Sequence, residues 1–152
     1  ILAVVAGWGC ASGAQAVARA AEQALSGCAG SIPAVDLWIA HGEGAPARDA
    51  EEAAAYRRLW PRPDTAPPVA AIKGRLGHLG PAAPVADAAL AVDIFRTGCL
   101  PAVWPEGADP DAVPVLPLAA AGAGPAPQTV LLAARGWTDT AAAVALTAGV
   151  TP

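Results

Sequence analysis

The chain opens on an uninterrupted apolar, partly β-branched run, Ile1 to Gly7. This predicts a buried strand closed at Gly9 by a Gly-Trp-Gly turn. From Ala14 to Leu25 the Ala, Val and Leu positions fall at helical spacing, with Arg19, Glu22 and Gln23 between them, and Gly27 with Gly30 ends the pattern. Val35 to Ala40 (VDLWIA) predicts a second buried strand whose carboxyl end delivers His41 into the Gly-flanked sequence HGEG. Asp49 is placed to cap the next helix, with Glu52 as its capping-box partner. That helix runs through Tyr56 and Arg58 to about Trp60, where Pro61 and Pro63 stop it. Val69 to Ile72 predicts a third strand leading into KGRLGH, and Pro84 to Arg96 an apolar helix ended by Gly98. After the Pro-rich stretch CLPAVWPEGADPDAVP, two strands, Thr129 to Ala134 and Ala141 to Thr147, flank RGWTDT as a hairpin. Strands alternating with helices predict one layered α/β unit.

Composition narrows the function classes. A chain of 152 residues with 55% hydrophobic and 14% charged residues is too apolar for a disordered tail and has the length of one domain. The net charge of -4 and scattered arginines exclude a phosphate-neutralising surface, so no nucleic-acid partner is expected. Gly, Pro, Asp or Arg interrupts every apolar stretch before the roughly 20 residues that span a bilayer, so a soluble, cytoplasmic protein without a membrane partner is expected. Three cysteines without a CxxC indicate neither a disulfide framework nor a zinc site, and fit a reducing compartment. Two histidines and scattered carboxylates match no recognised ligand spacing, so no metal is expected either. With no Met and an uncharged apolar start, further chain is expected before Ile1.

The candidate chemistry lies where the predicted strands end. His41, His78 and the single lysine, Lys73, all follow strands directly, which makes them candidates for one site, although an isolated histidine is most often a surface or satisfied core residue. VDLWIAHGEGAPARDAEEAAAYRRLW resembles the β-ketoacyl synthase stretch in which a strand ends in His-Gly-Thr-Gly-Thr and a helix carrying a Glu follows. VAAIKGRLGHLGPAAPVADAALAVDIFRTGCLPAVWP resembles that family's Lys-x-x-x-Gly-His block, small-residue helix and Gly-x-x-Pro. The two blocks stand in the family's order and at about its separation. With the opening strand and the closing hairpin, the resemblance covers nearly the whole chain.

The resemblance implies the carboxy-terminal half of a thiolase-like fold, a layered αβα unit with a closing β-hairpin spanning residues 1–152. The amino-terminal half would be absent from this chain. It also implies the chemistry: a malonyl thioester on the phosphopantetheine arm of an acyl carrier protein is decarboxylated, and the enolate attacks an acyl group held on a cysteine. His41 and His78 would stabilise the thioester oxygen as neutral hydrogen-bond donors, each such donor being worth about 3 to 4 kcal/mol of barrier. Lys73 would sit behind the second histidine and fix its orientation. The family's nucleophile lies in its amino-terminal half. Cys10 precedes His41 by only thirty-one residues, so Cys10, Cys28 and Cys99 are read as incidental thiols. No cofactor beyond the carrier arm is implied.

Three departures from an active synthase stand out. Glu43 replaces the first Thr of the histidine motif and puts an acid where an anionic malonyl group would bind. In the closing turn, Trp137 stands near the place of the family's gating Phe, and Thr138 and Asp139 stand where its flexible glycines belong. The loop after Gly9 reads as shortened. Chain-length factors, the noncatalytic partners of type II polyketide ketosynthases, are similar in PAAPVADAALA and LLAARGWTDTAAAVAL, although they commonly lose the motif histidines kept here. The expected function is a chain-length-factor-type subunit shaping the acyl pocket of a ketosynthase, with a ketosynthase and an acyl carrier protein as partners. The carboxy-terminal half of an active synthase and a purely structural thiolase-fold interaction module are the alternatives.

Overall fold

A computed structural model describes residues 1–28, 34–100, 122–123 and 125–149. In chain order the elements are β1 (Ala3–Ser12), α1 (Ala16–Ser26), β2 (Leu37–Ile39), α2 (Pro46–Leu59), β3 (Val69–Ala70), α3 (Lys73–Leu76), α4 (Ala83–Thr97), β4 (Cys99–Leu100), β5 (Gly122–Ala123), β6 (Thr129–Arg135) and β7 (Thr140–Ala148). Five of the strands make one mixed sheet in the order β1-β7-β6-β2-β3. β6 and β7 form the expected antiparallel hairpin, β1 pairs antiparallel with β7, and β2 runs parallel to both β6 and β3. β4 and β5 pair separately. The α/β alternation therefore produces a sheet with helices on both faces, as the sequence predicts.

On one face, Ala16, Ala20 and Ala24 of α1 pack with Ala141, Ala143 and Ala145 of β7, and Trp38 stacks on Tyr56 of α2 with ring centroids 5.2 Å apart. On the other, Ala91 and Ile94 of α4 pack with Leu37, Ile39, Val130, Leu132 and Leu146. Val4, Val5 and Trp8 of β1 remain exposed.

Two local expectations are corrected. Gly7-Trp8-Gly9 does not close the first strand, which stays paired with β7 as far as Ser12. The glycines serve α1 instead: a Cβ on Gly7 would overlap the Ala24 carbonyl, and one on Gly9 the Ala20 carbonyl. Cys10 is thus an exposed residue within β1. Asp49 is not a cap, because α2 begins at Pro46 with Ala45 as its N-cap and Asp49 lies inside the first turn. The closing glycine of α4 stands as expected, Gly98 adopting a left-handed conformation with φ 66°. Beyond β4, the Pro-rich stretch lies outside the described residues, as does Gly30.

Candidate functional site

The ends of β2 and β3 and the β6–β7 turn converge on one cavity of about 470 Å³, lined by His41, Glu43, Arg48, His78, Arg135 and Trp137 among others. The backbone that presents His41 is held from below. Glu52 of α2 is buried, and its carboxylate accepts the His41 N–H at 2.7 Å and the Gly42 N–H at 2.9 Å. Gly42 turns the loop with φ 47°, and a Cβ there would come within 2.8 Å of the Ala71 Cβ. Burial pushes the Glu52 carboxyl up, against the two N–H groups that favour its charged form.

The two imidazoles meet edge to face, with ring centroids 5.5 Å apart. The Nδ1 of His41 accepts the Arg135 backbone N–H at 3.3 Å, and the Nδ1 of His78 accepts the Gly80 N–H at 2.9 Å. A neutral imidazole that accepts at Nδ1 carries its proton on Nε2, so both rings are set as Nε2–H donors. His41 is held below its ordinary pKa by burial and then by the charge of Lys73, with Glu43 pulling the other way. Ligand-capable atoms of His41, Glu43 and His78 lie within 4.8 Å of one another. With both Nε2 atoms protonated, these rings are disposed to donate hydrogen bonds rather than to coordinate a cation.

Lys73 is buried, as a group supporting the site must be, but it supports the first histidine rather than the second: Nζ donates to the His41 carbonyl and faces Asp87 Oδ2 at 3.8 Å. Asp87 sits on α4 with 2% of its surface exposed, and burial raises its pKa against the pull of Lys73.

Glu43 is the residue that most alters the donor pair. Its Oε2 is 3.2 Å from His41 Nε2, and its Oε1 is 3.1 Å from Arg48 Nε. Arg48 also donates to the carbonyls of Gly136 at 3.2 Å and Trp137 at 3.5 Å, tying the β6–β7 turn to α2. Arg135 pairs with Glu51. Trp137 lines the cavity while remaining largely exposed. Thr138 and Asp139 are exposed and do not line it; their carbonyls accept the N–H groups of Thr140 and Gly13. His41, Glu43, His78 and Trp137 thus come together with Lys73 behind, while Thr138 and Asp139 belong to the turn.

Arg48, Glu52, Asp87 and Arg135 were not singled out by sequence reasoning as site residues. Asp87 carries a sequence signal, an acid inside the apolar run PVADAALA.

The His41 environment has a pH consequence. The unfolded chain takes up a proton near the ordinary imidazole pKa of about 6.5, whereas the folded site resists it until lower pH. This contribution to stability is therefore present above about pH 6.5 and lost on acidification through the folded pKa. Asp49, Glu52 and Asp87, all raised by burial, act with the opposite sign. The His41 share is read as a difference: urea unfolding followed from about pH 7.5 down to about pH 5 should show His41→Gln losing less stability on acidification than the unsubstituted chain. Parallel profiles would contradict it.

No helix among the described residues is long and apolar enough to cross a membrane. Comparison with curated proteins finds no match. Among solved structures, the chain is similar to the ishigamide ketosynthase/chain length factor, with 25% identity and a TM-score of 0.83 over 99% of this chain and 39% of that one. It is also similar to an oxazolomycin ketosynthase domain of Streptomyces albus, with 25% identity and a TM-score of 0.76 over 99% of this chain and 30% of that one. A structure of a type II polyketide acyl-carrier protein in complex with its ketosynthase shares the fold, at 20% identity and a TM-score of 0.86, again over 99% of this chain and 39% of that one. The chain therefore spans well under half the length of each of these structures. Residues 3–105, which carry both histidine blocks, match the family described as the β-ketoacyl synthase C-terminal domain, and the chain belongs to that family.

Proposed function

We propose that this chain is part of a ketosynthase-like subunit of polyketide or fatty-acid biosynthesis, a noncatalytic partner of chain-length-factor type that shapes the acyl pocket of a ketosynthase. The observation that carries the reading is the Glu43 carboxylate 3.2 Å from His41 Nε2. In a condensing site that N–H stabilises the oxyanion of the reacting thioester; here an acceptor from the same loop already takes it. The likeness to a ketosynthase/chain length factor supports the same reading. Acyl chains would arrive on the phosphopantetheine arm of an acyl carrier protein, in line with the carrier-protein complex that shares this fold. The exposed Val4, Val5 and Trp8 would meet an amino-terminal half or partner subunit.

A second reading, the carboxy-terminal half of an active synthase, is favoured by one feature: both histidines are kept as adjacent Nε2–H donors. Alanine substitution separates the two. If the subunit is noncatalytic, His41→Ala and His78→Ala leave condensation by the assembled complex largely intact. A loss of about a hundredfold or more, the cost typical of deleting an oxyanion donor, gives the chemistry to this subunit.

A further inference from the structure

Glu43 differs from a stray acid at a pocket rim in being held at both oxygens. Oε2 faces His41 Nε2, and Oε1 is paired with Arg48, whose guanidinium also reaches the Gly136 and Trp137 carbonyls. Arg48 thereby compensates the charge and restrains the rotamer. Position 48 lies in the first turn of α2, the helix whose Glu52 fixes the backbone of His41 and Gly42, so donor, acceptor and clamp are referenced to one rigid element. His41 has a single Nε2–H to give, since its Nδ1 is engaged by the Arg135 N–H.

We propose that Glu43 is a resident occupant of the acyl-oxygen position, an internal plug latched by Arg48, which the carbonyl oxygen of a thioester ligand must displace to reach His41. This rests on the reading of the cavity as an acyl site and adds that the chain itself closes it. Because Arg48 offsets the Glu43 charge, the plug acts by occupying the donor and excludes a neutral thioester as well as an anionic malonyl group. The latch also couples ligand entry to the turn that carries Trp137, since a displaced Glu43 leaves Arg48 only its two carbonyl acceptors there.

Occupancy and plain repulsion are separated by two substitutions and a neutral probe. Glu43→Ala removes the acceptor, whereas Glu43→Gln removes the charge but keeps an acceptor of the same reach. In the assembled protein, binding of S-acetyl-N-acetylcysteamine is followed by calorimetry and by the ¹⁵N signals of the His41 and His78 rings. Glu43→Ala should bind this neutral thioester about tenfold or more tightly than the unsubstituted protein, with the His41 signal moving, and Glu43→Gln should gain much less. An equal gain in both variants would show charge rather than occupancy and would overturn the proposal. So would the absence of any gain in Glu43→Ala, or binding that leaves the His41 signal unmoved. The noncatalytic role itself is decided separately, by the condensation assay on His41→Ala and His78→Ala, so the plug can fail while that reading stands.

Discussion

Asp87→Ala is expected to remove about 3 kcal/mol of folding stability, because it leaves the Lys73 ammonium buried with the His41 carbonyl as its remaining partner among the described residues. The lower end of the range for broken buried pairs is appropriate, since the ion pair is long, 3.8 Å, and Asp87 Oδ1 has no hydrogen-bond partner among the described residues. The loss belongs to the orphaned charge rather than to the pair. Replacing both members by apolar residues of similar size, Lys73→Met with Asp87→Leu, should therefore recover most of the stability. Urea titration at neutral pH reads both. A single variant within about 0.5 kcal/mol of the parent, the range of an ordinary surface change, would mean that Lys73 is not confined as described.

Glu52→Ala carries the second large effect, and it falls on the site as well as on stability. Two backbone N–H groups, of His41 and Gly42, lose their acceptor in a place water does not reach easily, and each orphaned donor costs about 1 to 3 kcal/mol. A loss of about 2 to 4 kcal/mol is expected, together with a shifted His41 ring signal, because the loop that aims the imidazole is no longer pinned. Glu52→Gln is not conservative here: its amide can accept one N–H but turns donors toward the other. A Gln variant as stable as the parent would show that the carboxylate does not serve both N–H groups.

These residues mark what the sequence could and could not disclose. The two histidine blocks were legible as strings because each motif follows its strand immediately, and the β6–β7 hairpin was legible from alternation and turn chemistry. The local pattern makes Glu52 a capping partner for Asp49, but α2 starts four residues earlier, at Pro46, and brings Glu52 under the histidine loop. The resemblance implies Lys73 behind His78, whereas α3 carries its ammonium back to the His41 carbonyl at the end of β2, a path that no local pattern encodes. Asp87 shows in the sequence as an acid inside an apolar run, but its partner is visible only once the tertiary fold brings Lys73 to it. Thr138 and Asp139 stand where the resemblance expects flexible glycines of the gating turn; the turn spends their carbonyls on its own closure and on Gly13.

The same limit of local reading applies to β1, where glycine, ordinarily a strand breaker, lies in the middle of a paired strand. What passes over Gly7 and Gly9 is main chain, the Ala20 and Ala24 carbonyls, so the distance between α1 and the sheet is set by backbone against backbone. Tolerance there is one-sided. Removing a methyl from an alanine of α1 deletes little buried area, while adding one to either glycine leaves the helix nowhere to go. A descendant of this chain could keep every apolar position of β1 and α1, satisfy any hydrophobicity pattern written for them, and still lose the layer through a single carbon atom.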